Sequence, residues 1–299
     1  MTAILSTQER RLPEVDDLGS GTVLEGPVRL RRLRALIRRP GLLLALVWLA
    51  LALLAAVAPG VISHQDPYAA DQQALLQPPS SGHLFGTDQI GRDLFSRVVH
   101  GASLSLLSAV IAVGVGVVLG SLVGLLAGSV GGWPDVILMR LVDVIMAIPG
   151  LLLSLALIIV LGFGTINVAI AVGFASVAGC ARVMRSEVLK VRVADYVEAA
   201  TSLGVHRVRV LADHVLPNAL PPVLVLAALD FGSAMLAVSS LSFLGYGAKP
   251  PAPEWGSLVA SGRDFLDTGW WLTTMPGLVV ALTVLAANRV ARHLERGAR

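Results

Sequence analysis

Long stretches without Asp, Glu, Lys or Arg constrain this chain more than any other feature. A helix needs about 20 mostly apolar residues to cross a bilayer. Five charge-free stretches meet or approach that length: Gly41 to Ser63, Gly101 to Pro134, Val144 to Ala181, Phe231 to Ala248 and Thr268 to Asn288. Only 14% of the residues are charged and the mean hydropathy is +0.76, whereas a soluble domain carries roughly 25% charge. With 30 glycines and 5% aromatic residues, the composition predicts packed membrane helices with small residues at their contacts.

Turn signals divide these stretches into six predicted spans. The long run from Val144 breaks at Gly162-Phe163-Gly164-Thr165, a turn-forming cluster. Residues 41–60 form the first span, interpreted as a retained signal anchor. A core at 101–291 holds the other five spans, at about 103–128, 136–161, 166–183, 221–244 and 273–291. We expect a partly disordered cytoplasmic arm at 1–40, an extracytoplasmic segment at 61–100, a cytoplasmic loop at 184–218 and a cytoplasmic tail at 292–299.

The distribution of charge predicts that both termini lie in the cytoplasm. All but four of the 23 Lys and Arg residues then fall on the cytoplasmic side, the exceptions being Arg92, Arg97, Lys249 and Arg263. This is the bias that the positive-inside rule describes. Topology therefore accounts for the pI near 9.5, and no nucleic-acid partner is needed to explain it.

The loop between the fourth and fifth spans carries signals for two short helices. Asp195 is predicted as an N-cap with Glu198 three residues later as in a capping box, and Gly204 as the residue that ends the helix. A second helix is expected from Val205 to Leu216, ending at Pro217. Ala199 and Ala200 leave part of the first helix smooth for a partner backbone. Two alternatives are an ordinary cytoplasmic loop and a helix–turn–helix DNA reader, which the tethering at both ends and the few basic residues disfavour.

Several motifs resemble those of permeases of ABC importers. Glu198-Ala199-Ala200, Gly204 and Leu216-Pro217 are similar to the EAA loop, which in that family forms helices that insert into the ATPase subunit. The dipeptide/oligopeptide/nickel branch is indicated by four further segments in order: His83-Leu-Phe-Gly-Thr-Asp-Gln-Ile-Gly-Arg-Asp-Leu-Phe-Ser-Arg97, Met139-Arg-Leu-Val-Asp143 with Pro149-Gly150, Leu241-Ser-Phe-Leu-Gly-Tyr-Gly247, and Pro250-Pro251 with Glu254-Trp255-Gly256.

The resemblance implies an all-α membrane protein with six transmembrane helices, an ABC transmembrane type-1 (MetI-like) core and an extra N-terminal span. It implies a subunit that forms half of the translocation path for di- or oligopeptides or similar small solutes, with nickel import as the alternative within the family. The residues expected to couple transport to ATP hydrolysis are Asp195, Tyr196, Glu198, Ala199, Ala200, Leu203, Gly204, Leu216 and Pro217.

The resemblance also implies partners and a location. These are the lipid bilayer, a homologous second permease that forms a heterodimer, two cytoplasmic P-loop ATPase subunits and an extracytoplasmic substrate-binding protein. The chain itself is expected to bind no cofactor, because ATP and Mg²⁺ belong to the ATPases. The expected location is the bacterial cytoplasmic (inner) membrane.

Five further residues are candidates for the translocation path or its gate. Asp88, Arg92 and Asp93 form either an outer gate or binding-protein face or, alternatively, a solvated amphipathic stretch. Asp230 is the acid well inside a span, where a central carboxylate costs roughly 2.5–3.5 kcal/mol, so it is expected either to line the path or to sit at a solvated helix end. Pro149 removes a backbone hydrogen bond in mid-span and predicts a kink, which either lines the path or only fits neighbouring helices together.

The sequence disfavours catalysis by this chain. A P-loop requires Gly-Lys-Ser/Thr, whereas the chain's two lysines are Lys190, which follows Leu189, and Lys249, which follows Ala248. The six histidines are scattered and Cys180 is the single cysteine, so no metal site is predicted. Two other classes stay open at this point, a secondary transporter or channel that works without ATP and a membrane scaffold.

Overall fold

The computed structural model describes residues 40–298 as a bundle of helices. No β-strand occurs in that range, and the predicted cytoplasmic arm at 1–40 lies almost entirely outside it. The helices are α1 Pro40–Val57, α2 Pro59–Ile62, α3 Leu94–Val130, α4 Gly132–Ala147, α5 Gly150–Leu161, α6 Thr165–Val191, α7 Asp195–Ser202, α8 Arg207–Val210, α9 Leu216–Phe243, α10 Trp255–Gly262 and α11 Trp271–Ala298. A π-helical segment, Leu211–Val215, joins α8 to α9.

Five of the described helices are long and apolar enough to cross a membrane, and the number is six if α4 and α5 together count as one span. The third span, predicted at 136–161 with a kink at Pro149, consists of two separate helices. Its two halves, α4 and α5, meet at an angle of 97° around Ile148 and Pro149. Proline cannot donate the hydrogen bond that would continue α4 and its ring disfavours a helical residue before it, so the predicted kink is confirmed as a complete break.

Several helices are longer than the spans that hydropathy predicted. α3 begins at Leu94, and α6 continues to Val191, inside the predicted loop at 184–218. α11 continues to Ala298, so the predicted tail at 292–299 is mostly helical. Hydropathy detects only the apolar part of a helix, whereas the backbone hydrogen bonds run on into water. Below, the end of the bundle that carries α7 is called the inner end, and the end that carries residues 63–93 is called the outer end.

α3 and α6 pack closely along a stripe of glycines. Gly116, Gly120, Gly124 and Gly128 are all buried and recur every four residues on one face of α3. A Cβ atom placed on Gly120 would lie 2.6 Å from Cβ of Cys180, and one on Gly124 would lie 2.8 Å from Cβ of Met184. Small residues at this spacing let two membrane helices approach closely. The pair forms a straight connection between the two ends of the bundle.

Apolar clusters follow the bundle from one end to the other. The outer cluster surrounds Leu94, Trp255 and Trp271 and joins α1, α3, α10 and α11. A middle cluster joins α3, α5, α6 and α9. The inner cluster joins the end of α6 to α7, the π-helical segment and α9 through residues that include Met184, Val197, Val215 and Val223. Because this cluster includes α7, the short helix is part of the folded core and not a loose insertion.

The outer end is held together by buried polar contacts. The Asp88 carboxylate accepts hydrogen bonds from the backbone N–H groups of Ile90 and Arg92, and the Arg92 guanidinium lies 2.6 Å from it. Arg97 lies 3.8 Å from the same carboxylate and donates to the carbonyls of Pro67 and Pro251. One charged cluster thus joins three segments that are distant in sequence.

Candidate coupling site

The helix α7, Asp195–Ser202, is eight residues long and ends just before Gly204, as predicted. Gly204 has a φ of +80°, a left-handed conformation that glycine adopts without steric cost. Its N–H donates to the carbonyl of Thr201, and the N–H of Val205 donates to the carbonyl of Ala200. These two bonds form a Schellman motif, so the role of Gly204 as the residue that ends the helix is confirmed.

The start of α7 differs from the prediction. The N-cap is Ala194, which makes no side-chain cap, and Asp195 is already helical. The predicted capping box between Asp195 and Glu198 is therefore wrong, because a capping side chain must start from the non-helical residue to reach the free N–H groups. Ala194 takes that extended conformation after a turn in which its own N–H donates to Val191. Both acids still lie in the first turn, where their negative charges interact favourably with the positive end of the helix dipole.

One face of α7 packs into the inner cluster. Val197 is buried, and Ala194 and Ala200 pack against the cluster beside it. The ring of Tyr196 makes an edge-on contact with His214 of the π-helical segment, with ring centroids 6.4 Å apart. α7 is thereby fixed to both α6 and α9, the two long helices that flank it in sequence.

The other face of α7 leaves apolar side chains uncovered. Leu203 is 84% exposed, Val193 is 72% exposed and Tyr196 is 47% exposed. Ala199 and Glu198 lie on the exposed surface as well. Of the two alanines predicted to form a smooth surface, Ala199 faces outward and Ala200 faces partly inward. The surface formed by Val193, Tyr196, Ala199 and Leu203 is called the α7 face below.

Pro217 does not end a helix, contrary to the prediction. The helix that begins at Arg207 passes through the π-helical segment and continues to Phe243 without a break. Pro217 lies two residues after the π-helical segment, inside this continuous helix. The π-helical turns supply the local irregularity that precedes it. Leu216 is half-buried against the inner cluster, so of the predicted Leu216-Pro217 pair only Leu216 contacts the same core as α7.

Three arginines fix the inner end of α6 to its neighbours. Arg185 makes two hydrogen bonds to Asp135 of α4, and Arg182 lies 2.8 Å from Asp143 of the same helix. Arg192 donates to the carbonyl of Gly128 at the end of α3. The sequence signalled none of these contacts, because each joins residues from different helices. They connect α7, through the end of α6, to α3 and α4.

Asp230 and the break at Pro149 face a common groove. Asp230 lies midway along α9, and the groove beside it is lined by Gly150, Ser154, Ser176 and Ser233 among others. No hydrogen bond or ion pair joins its carboxylate to any residue within 40–298. Asp230 lies in the middle of α9 and not at its end, and its place in the translocation path stays a prediction.

The three outer candidates are internal to the fold. Asp88 is 4% exposed and Asp93 is 7% exposed, so the interpretation as a solvated stretch is wrong. Asp93 caps α3 through the N–H of Ser96 and lies 3.0 Å from His83, while Arg92 pairs with Asp88. Their place in a gate stays a prediction.

Two outer residues with strong structural roles were missed from the sequence. The sequence gives Arg97 only as an extracytoplasmic charge and the end of one motif, and Glu254 only as part of another. Glu254 is fully buried and accepts hydrogen bonds from the N–H groups of Gly256 and Ser257 at the start of α10. A Glu one residue before a short helix is a signal for such a cap; nothing local signals the contacts of Arg97.

Comparison with known proteins identifies similar chains. Residues 116–299 match the family described as binding-protein-dependent transport system inner membrane component. The probable D,D-dipeptide transport system permease protein DdpC of Escherichia coli is 42% identical over 77% of this chain and 77% of its own length. The di/tripeptide transport system permease protein DppC of Pseudomonas aeruginosa is 40% identical over 78% and 79%. The glutathione transport system permease protein GsiD of Pectobacterium atrosepticum is 38% identical over 75% of each chain.

Solved structures with a similar arrangement of helices include an ABC transporter. It is described as the crystal structure of an amino acid ABC transporter with histidines, and it superposes with a TM-score of 0.52 over 68% of this chain and 94% of the other. At 17% identity this likeness concerns the arrangement of the helices only. It is consistent with the predicted all-α membrane fold of the MetI-like type.

Proposed function

The chain belongs to the family of binding-protein-dependent transport system inner membrane components, and from this we propose that it is a permease subunit of an ATP-driven importer of small peptides. The observation that carries the proposal is the α7 face, an uncovered apolar surface on a short helix that is itself fixed to α6 and α9. In an ATP-driven importer, a chain without a P-loop obtains the energy of ATP hydrolysis from a partner, and the α7 face has the apolar character of an interface centre.

The proposed partners follow from this role. Two P-loop ATPases bind ATP and Mg²⁺ and contact the α7 faces of this chain and of a homologous second permease, which together form the translocation path. A binding protein delivers the solute at the outer end. The chain spans the bacterial cytoplasmic membrane with both termini in the cytoplasm, and the excess of Lys and Arg on that side supports this orientation.

Peptides are the proposed solutes. The three relatives above are named for D,D-dipeptides, di- and tripeptides, and glutathione, which supports a peptide and not the nickel alternative. A secondary transporter or channel would leave the α7 face without a use, and the family is one of binding-protein-dependent systems.

The contacts of α7 suggest how movement is transmitted. Closure of the ATPases pushes α7, whose Val197 is packed against the end of α6. Arg192 ties that end to Gly128 of α3, and the glycine stripe makes α3 and α6 move as one body. The push therefore reaches the outer end through a rigid pair of helices, and two arrangements of the subunits supply the two states that such coupling requires.

Leu203 provides the test. Leu203→Asp places a charge in the α7 face, and Leu203→Met keeps an apolar side chain of similar volume as the matched control. In transporter reconstituted with its partners, we expect Leu203→Asp to weaken ATPase binding by about 2 kcal/mol or more, roughly 30-fold, and to abolish ATP-dependent peptide uptake. Leu203→Met keeps both.

Membrane levels of the two variants provide the reference for insertion. Unchanged ATP-dependent uptake by Leu203→Asp would contradict the proposed coupling surface. Peptide uptake by this chain without any ATPase subunit would instead identify a secondary transporter.

A further inference from the structure

The groove beside Asp230 has the dimensions of a small-molecule site. It lies between α3, α5, α6 and α9 and has a volume of about 380 Å³, within the range of roughly 300–1,000 Å³ that ligand sites occupy. Gly150, the first residue of α5, forms part of its wall, and a Cβ atom there would still lie 3.8 Å from its nearest neighbour, Ala175. The break after α4 therefore helps to open the groove.

The groove lies at half the depth of the helices that form it. Val113 is near the middle of α3, Ser176 is near the middle of α6 and Asp230 is near the middle of α9. A carboxylate at this depth carries a desolvation cost and in known membrane proteins faces a cavity or a partner. The Asp230 carboxylate has neither a hydrogen bond nor an ion pair with any residue of the described range, so any counter-charge must come from outside this part of the chain.

The polar groups around Asp230 are arranged as acceptors. The hydroxyl of Ser154 donates to the carbonyl of Gly150, and that of Ser176 donates to the carbonyl of Gly173, each at 2.8 Å. A hydroxyl has one hydrogen to donate and two lone pairs to accept with, so both serines have lone pairs left to offer. No Lys, Arg or His lines the groove. One carboxylate with hydroxyl lone pairs suits a cation that carries several N–H donors.

We propose that this groove binds the primary ammonium group of the transported solute, with Asp230 as its counter-charge. The inference rests on the proposed function, because a peptide carries such a group at its N-terminus. An ammonium has three N–H donors, which matches one carboxylate oxygen together with serine oxygens. Charge-assisted hydrogen bonds of this kind are stronger than neutral ones. The groove is thus a binding site for ammonium groups, partway along the translocation path.

Thiol labelling at Ser233 tests the electrostatics of the groove without requiring transport. Ser233 lines the groove and is exposed, while Cys180, the chain's single cysteine, is buried, so the unaltered chain gives the background. Ser233→Cys is placed in the complete transporter and treated with a cationic and an anionic methanethiosulfonate. The matched control is the double variant Ser233→Cys with Asp230→Asn.

We expect the cationic reagent to react several-fold faster than the anionic one, and this preference to vanish in the double variant. A transported peptide slows the reaction. The ammonium site is rejected if neither reagent reaches the thiol in any nucleotide state, as when a basic side chain of the second permease covers Asp230. It is rejected equally if the preference persists without Asp230 or if peptide gives no protection.

Uptake measurements separate this inference from the proposed function. We expect Asp230→Asn to lower the kcat/KM of peptide uptake roughly 10- to 100-fold, as for a lost charge-assisted hydrogen bond, and Asp230→Glu to restore part of it. Wild-type complex that shows no ATP-dependent peptide uptake would refute the proposed function. Normal wild-type uptake that Asp230→Asn leaves unchanged would refute only the ammonium site.

Discussion

The outer and inner ends of the molecule differ in the side chains that they bury and expose. At the outer end, charged and aromatic groups are buried against one another: Asp88 pairs with Arg92 and Arg97, and Trp255 donates to the carbonyl of Val98. At the inner end, the short helix α7 exposes Leu203 and Tyr196 to the surroundings. The outer end therefore buries a charged cluster within the chain, while α7 at the inner end leaves apolar groups for another molecule to cover.

This difference separates two kinds of residue. Substitution at the outer end removes a contact that the fold needs, so stability falls and function follows. Substitution of Leu203, the most exposed residue of the α7 face, removes little from the fold, so function is expected to fall alone. The glycine stripe of α3, which packs against α6, combines both roles. It stabilises the bundle and, in the proposed mechanism, transmits the movement of α7.

The largest effect on stability is expected from Asp88→Ala. It leaves Arg97 and Arg92 buried without their carboxylate, and breaking a buried pair on one side costs about 3–5 kcal/mol. Asp66→Ala is the matched control, because Asp66 is exposed and accepts only from the N–H of Tyr68. Thermal unfolding of the purified transporter measures both. Equal Tm values for the two variants would show that the buried charged cluster does not stabilise the outer end.

An intermediate effect is expected from Gly120→Leu in the stripe. Overpacking costs about 1–3 kcal/mol or more, and here the new side chain meets the Cβ of Cys180 and the carbonyl of Val177, 2.7 Å from the position of its Cβ. Gly114→Leu on the same helix is the control, because nothing lies within 4 Å of a Cβ placed there. Thermal unfolding should separate them, and a loss of coupling in Gly120→Leu at temperatures where it stays folded would link the stripe to transmission. If Gly120→Leu is as stable as Gly114→Leu, α3 and α6 are not held by this stripe.

The smallest stability effect, and the sharpest comparison of the two ends, comes from Gly204→Ala and Gly245→Ala. Both glycines have positive φ, +80° and +94°, and nothing lies within 4 Å of a Cβ on either. Each substitution thus imposes a left-handed conformation on alanine, at about 1–2 kcal/mol. We expect the two variants to lose similar, small amounts of Tm. Only Gly204→Ala is expected to uncouple ATP hydrolysis from peptide transport, because it changes the orientation of the end of α7. Equal loss of coupling at the outer Gly245 would show that strain alone, and not its position, is responsible.

Local chemistry accounts for what the sequence predicted correctly. Gly204 ends α7 because a positive φ suits glycine, and Pro149 breaks a span because it lacks an N–H. The positions of α1, α3, α6 and α11 follow from charge-free runs of sufficient length, and the second half of α9 follows from the run that begins at Phe231. The predictions were wrong where a local signal had more than one outcome. Pro217 is accommodated just after the π-helical segment, and Asp195 stands one residue inside the helix that it was expected to cap.

The sequence by itself determined that this chain crosses a membrane, where its helices lie and that a short helix ends at Gly204, because apolar length and turn conformation are properties of neighbouring residues. Only the tertiary structure decided that Asp88 and Arg97 are buried together, that Asp230 faces a groove in mid-bundle and that Leu203 stays uncovered. Burial and pairing depend on which distant segments meet, as when Arg97 reaches the carbonyl of Pro251, and no local pattern encodes that meeting.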